Sequence, residues 1–170
     1  LSARLEPWMC EFLASEYVAP AVAQHDSPLN VICTSPMARN IEEIRAETEA
    51  RGLSSKIFFA RKSNKCLSFI DEAMRCNAGL DTASENELHQ CLQRGVSSED
   101  IICTAAIKSE SLIDSCLENQ VCIAIDNRDA VGRAVLDAVA GEVERDQRVA
   151  ATQRDGVVYL TVRSIVEQHG

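Results

Sequence analysis

The chain has 170 residues, 46% hydrophobic and 25% charged, with a formal net charge of -9. That composition suits one globular domain with a real core. The acidic balance, without any block of Lys or Arg, excludes the electrostatic footprint of a nucleic-acid binder. No apolar stretch approaches the roughly 20 residues of a membrane span, and no signal-peptide layout is read at the N-terminus. The eight cysteines are scattered, several inside apolar runs, with no C-x-x-C and no ligand spacing to His25, His89 or His169. They are expected to be free, mostly buried thiols of a cytoplasmic protein with no membrane or nucleic-acid partner.

In chain order, residues 1–26 predict a helical lead-in with Pro7 and Pro20 as breaks, and residues 27–33 a strand. Pro36 opens a helix whose apolar positions, Ile41 and Ile44, precede a charged tail ending at Gly52. Residues 56–60 predict a β-branched and aromatic strand. Residues 65–77 predict a helix with Leu67, Ile70 and Met74 on one face and Gly79 as its C-cap. A strand over 80–83 precedes a helix over 84–94 closed by Gly95. Residues 101–105 form a third strand, followed by a helix carrying Leu112, Ile113, Cys116 and Leu117. A strand over 121–125 leads to a helix with Val131, Val135, Ala138 and Val139, and residues 148–152 begin a fifth strand. Asp155-Gly156 reads as a hairpin turn, which a strict barrel would not need.

Short apolar strands alternating with helices predict parallel βα units. The strand ends near Lys62, Ser84, Thr104 and Asp126 recur at intervals of about 20 residues, a regularity that favours a barrel over an open sheet. No G-x-G-x-x-G follows the first strand, which weakens a dinucleotide-binding reading. A closed (β/α)₈ barrel needs about 250 residues, so the expected fold is α/β, a partial (β/α)₈ (TIM) barrel over 27–170, most simply a fragment.

In such barrels chemistry sits at the carboxyl ends of the strands. Period-two alternation puts Phe58, Ala60, Lys62 and Asn64 on one face, with Lys62 at the barrel mouth. An amine made partly neutral by desolvation there can form a Schiff base. From pattern alone, a solvated strand-end lysine is the commoner reading. Ser84-x-x-Glu87 is a capping box in sequence and needs no cofactor to explain it. Asp81 could cap a turn, Asn64 could cap the following helix, and Arg61 and Lys65 could repel protonated Lys62 or face water.

Phe59-Ala60-Arg61-Lys62-Ser63-Asn64 resembles the Y-A-x-K-A-N motif of the fold-type III decarboxylases, the alanine racemase-like group that includes diaminopimelate, ornithine and arginine decarboxylases. Gly79-Leu80-Asp81-Thr82-Ala83-Ser84-Glu85-Asn86-Glu87-Leu88 resembles their G-x-D-x-A-S-x-x-E-L block. Residues 95–108 are similar to their G-x-x-x-x-x-I-x-x-x-x-x-x-K segment, and Ser27-Pro28-Leu29-Asn30-Val31 to their T-P-x-Y-V lead-in. The ordered set runs from about Ser27 to Asn127 and is more specific than the lysine motif alone.

The resemblance implies a domain that binds pyridoxal 5'-phosphate through an internal aldimine on Lys62, with Asp81 beside that lysine and Glu87 in the same polar network. Arg148 is a looser match to an arginine near the cofactor. It further implies a small amino-acid substrate, a homodimeric parent and a C-terminal β-domain beyond this chain. Thr104-Ala105-Ala106-Ile107 stands where diaminopimelate decarboxylases carry H-G-N-N, which puts that particular activity in doubt. The expected function is part of an amino-acid decarboxylase. The alternatives are an amino-acid racemase of the same fold, or a non-catalytic homologue acting as a regulatory decoy or cofactor carrier.

Overall fold

The computed structural model describes residues 5–26, 28–125, 147–154 and 157–164. The chain divides into two units, Leu1–Met37 and Ala38–Gly170. The first carries helices α1 (Pro7–Ala14) and α2 (Val18–His25), the predicted lead-in. Pro7 sits at the helix start, as expected. Pro20 does not break the chain, because in the first turn of α2 its missing N–H has no intrahelical partner to lose. The predicted strand over 27–33 is not found: residues 28–34 join no ladder, and Val31 and Ile32 are exposed.

The second unit is the α/β domain. Helix α3 (Ser35–Ala50) reaches into it and buries Ile41, while Ile44 stays exposed. Then come β1 (Phe58–Ala60), a 3₁₀ turn (Arg61–Ser63), α4 (Ser68–Arg75), β2 (Gly79–Thr82), α5 (Glu85–Gln93), a second 3₁₀ turn (Ser98–Asp100), β3 (Ile101–Cys103), α6 (Glu110–Glu118) and β4 (Cys122–Ile125). Strands β5 (Gln147–Arg154) and β6 (Val157–Ser164) follow. The helix predicted to carry Val131 to Val139 lies outside the described residues.

Strands β1 to β4 lie in sequential order and pair in parallel. Right-handed crossovers repeated without reversal of strand order put every connecting helix on one face, and burial follows that rule. Leu80, Thr82, Ile101, Cys103, Val121 and Ile123 are buried on the helix side with Ile70 and Ala73 of α4, Leu88 and Cys91 of α5, and Leu112, Ile113 and Cys116 of α6. The opposite row, Ala60, Asp81, Ile102 and Cys122, is only half-buried. Beyond β4 the parallel pattern stops: β6 pairs antiparallel with β4, and β5 with β6. The fifth strand is therefore the outer member of an antiparallel pair, with Arg154 opposite Val157; the predicted Asp155-Gly156 turn lies outside the described residues.

The same turn geometry ends α4, α5 and α6. Asn77, Gly95 and Gln120 adopt positive φ (51°, 80° and 57°), and the next N–H reaches back across the turn: Ala78 to Ala73, Val96 to Cys91, Val121 to Cys116. Gly95 closes its helix as expected. The cap of α4 is Asn77 and not Gly79, because the turn completes two residues earlier. In α4, Phe69, Ile70 and Ala73 are buried, whereas Leu67 precedes the helix and is exposed. A left-handed backbone disfavours side chains with a Cβ, so Gln120→Gly is expected to raise stability by about 0.5–1 kcal/mol in urea unfolding.

Gly79 has a different role. A Cβ there would lie 2.5 Å from the Phe58 ring and 2.8 Å from the Asp100 carbonyl oxygen. Backbone cannot yield as a side-chain tip can, so Gly79→Ala should destabilise by about 2–3 kcal/mol in the same assay.

All eight cysteines are free, but only Cys91, Cys103 and Cys116 are fully buried. Burial pushes the Cys91 thiol up to about 11. The hydrogen bond between Cys103 and Cys116 pulls Cys103 below the ordinary thiol range and holds Cys116 protonated. The other five were expected deeper than they are, because apolar neighbours in sequence do not decide which face of an element a thiol occupies.

Candidate functional site

Lys62 stands at the carboxyl end of β1, but not on the strand. Pairing stops at Ala60, and residues 61–63 wind into the 3₁₀ turn, closed in part by a hydrogen bond from Ser63 Oγ to the Ala60 carbonyl (2.7 Å). The turn leaves Lys62 exposed, and its ammonium has no ion pair or hydrogen bond among the described residues. Extended alternation over 58–64 is corrected accordingly. Asn64 does cap locally: its Oδ1 accepts from the Cys66 N–H (2.9 Å), an Asx turn that delays the helix start to Ser68. Ser68 hydrogen-bonds the Cys66 thiol and holds it below its ordinary range.

Asp81 lies on the open sheet face, directly opposite Ala60 of β1 and Ile102 of β3. Thr104 Oγ1 donates to its Oδ1 at 2.5 Å. Asp81 Oδ2 has no donor among the described residues. Thr104 continues the ladder past β3, its N–H reaching the Thr82 carbonyl at 2.9 Å. Its hydroxyl completes a polar pair the sequence reading did not assemble; the signal was its place at a strand end two residues beyond the partner of Asp81. Past it, Ala105 is buried and Ile107 is 89% exposed.

Glu87 is buried on α5, and both its oxygens are engaged. Oε2 accepts from the Ala83 N–H (2.9 Å), and Oε1 meets Lys65 Nζ at 3.1 Å. Ser84 Oγ accepts from the Glu87 N–H at 3.3 Å, so the capping box read from the sequence is present, with its return bond made to Ala83. Lys65 therefore faces a carboxylate, and Arg61 is fully buried, so neither merely faces water.

Arg148 lies on β5, the outermost strand, with β6, β4, β3 and β2 between it and β1. Its backbone register partner is Arg163. The fold brings Lys62, Asp81 and Thr104 to the carboxyl ends of adjacent strands, with Glu87 joined to the Lys62 segment through Lys65. It does not bring Arg148 to that edge. Among the described residues, no group of three His, Cys, Asp or Glu side chains could hold a metal ion, and no helix is long and apolar enough to cross a membrane.

The parallel strands thus present an exposed amine and a carboxylate at neighbouring carboxyl ends. Residues 37–153 match the pyridoxal-dependent decarboxylase family over its pyridoxal binding domain, and the chain belongs to that family. A curated relative, "Uncharacterized protein y4yA" of Sinorhizobium fredii (strain NBRC 101917 / NGR234), is 25% identical over 122 residues, covering 71% of this chain. The chain spans 27% of that relative's length.

The residues present suit pyridoxal phosphate by their chemistry: a primary amine that meets no carboxylate among the described residues, and a carboxylate with one oxygen anchored by Thr104.

Proposed function

We propose that this chain is the amino-terminal half of the barrel of a pyridoxal phosphate-dependent amino-acid decarboxylase, with Lys62 as the point of covalent attachment. The observation that carries the reading is the position of Lys62, unpaired at the carboxyl end of β1, inside a segment that matches a pyridoxal binding domain. Sequential parallel order of β1 to β4, with one face only half-buried among the described residues, supports the partial barrel, because continuing the same winding would close that face into an interior.

When bound, pyridoxal phosphate supplies a conjugated ring that draws electrons from the bond broken at the substrate Cα. The chain's residues do the holding. Lys62 Nζ is the amine that would hold the cofactor. Thr104 fixes one oxygen of Asp81, so the other is aimed and can accept a proton or hydrogen bond at the open face. Glu87 keeps α5 and the segment after Lys62 in fixed relation through Lys65 and Ala83. The open face offers Ala60, Ile102 and Cys122 beside Asp81, a surface that excludes water once covered.

The test is borohydride reduction of the full-length protein with pyridoxal phosphate, followed by peptide mass mapping. A reduced pyridoxyl mass on the Lys62 peptide is expected; its absence there removes Lys62 from the reading. Carbon dioxide release from a panel of amino acids then separates a decarboxylase from a racemase or a non-catalytic carrier.

A further inference from the structure

Arg61 is the largest fully buried side chain among the described residues, with zero exposure. A buried guanidinium normally meets a carboxylate, and here no ion pair to Arg61 is found among the described residues. Its acceptors are neutral. Nη1 reaches the carbonyls of Cys66 (3.0 Å) and Asn64 (3.5 Å), while Nη2 reaches the Lys65 carbonyl (3.0 Å) and Gln90 Oε1 (2.7 Å). Nε has no hydrogen-bond partner among the described residues. A buried cation held by carbonyls with one donor unmet is a costly arrangement, and the backbone it holds is the segment that follows Lys62.

We propose that Arg61 is a positioning residue for the cofactor lysine: its guanidinium ties the backbone of residues 64–66 to α5 and so sets where Lys62 stands. The inference rests on the reading of Lys62 as the attachment point. Lys62 lies inside a loop closed by the Arg61 side chain at one end and the carbonyls it grips at the other. Gln90 and Glu87 lie three residues apart on one face of α5, so the Arg61–Gln90 and Lys65–Glu87 contacts are two staples from the same loop to the same helix. Arg61 points into the sheet–helix layer and Lys62 does not. The loop is thereby immobilised without engaging the amine, as a covalent tether requires. A lysine at position 61 could not reproduce the grip, because the planar fork with its fixed donors is what spans three carbonyls.

The experiment follows the rate of reductive trapping of pyridoxal phosphate on Lys62 in the full-length protein, with amide hydrogen exchange of peptides covering 62–67 read before cofactor is added. Arg61→Met should slow trapping about 10- to 100-fold and speed exchange in that segment. Gln90→Leu, which removes one of the four contacts, should do both to a smaller extent. Cys91→Ala, a cavity in the same helix face, should lower stability with trapping unchanged. Trapping by Arg61→Met and Gln90→Leu at the wild-type rate, or slowed no more than by Cys91→Ala, overturns the inference. If Arg61→Met does not fold, Gln90→Leu decides. Wild-type protein that gains no mass on Lys62 would instead overturn the proposed function, a separate outcome.

Discussion

Lys62→Ala is expected to abolish reductive trapping of pyridoxal phosphate at residue 62 in the full-length protein, yet leave the unfolding midpoint of the cofactor-free form within about 0.5 kcal/mol of wild type. Both halves follow from one arrangement. The side chain is exposed and makes no hydrogen bond or ion pair among the described residues, so its removal costs the fold little. The loop's geometry is maintained by Arg61, Ser63 and Asn64, none of which needs the amine. A variant that lost both binding and several kcal/mol of stability would mean Lys62 is structural. Trapping undiminished at some other lysine would move the attachment point.

Glu87→Ala is expected to do the reverse, destabilising by about 2–4 kcal/mol in denaturant unfolding. The ion pair to Lys65 contributes little of this, since Lys65 is 71% exposed and solvent screens the contact. The larger part is the Ala83 N–H, which loses its acceptor at the entrance to α5, together with the space left by a buried side chain. Glu87→Gln retains an acceptor for Ala83 and should recover about half the loss, with its amide the poorer partner for Lys65. Equal stability of Glu87→Ala and wild type would show that the buried carboxylate is not holding the helix start.

How much of this was legible beforehand depends on what kind of interaction set each feature. Helices α5 and α6 announce themselves through apolar spacing, a Ser cap and, for α5, Gly95; β2, β3 and β4 do so through short apolar runs. The neighbourhood of Lys62 was harder. Period-two counting carries the strand through Asn64, but the Ser63 hydroxyl and the Asn64 amide bond back to the main chain and bend it after Ala60. Arg61 read as a charge that repels protonated Lys62 or faces water, because burial of a guanidinium depends on three carbonyls and a glutamine 29 positions away, none visible in local pattern. Asn77 acting where Gly79 was expected reflects two glycine-like demands close together, one for a left-handed turn and one for room beside Phe58. The antiparallel partner of β4 came from sequence distant from it, and no local pattern named where it would dock.

The three matched helix ends also divide the labour of the domain. Each return turn delivers a buried residue, Ala78, Val96 or Val121, into or toward the following strand. Mutational drift at that rim is therefore registered as melting temperature. The opposite rim, with Lys62, Asp81 and Thr104, carries no such repeated closure among the described residues, and the segments leaving β1, β2 and β3 differ in length and make-up. Substitutions at the exposed positions there should leave the foundation still, which makes that rim the place to begin when diversifying this scaffold.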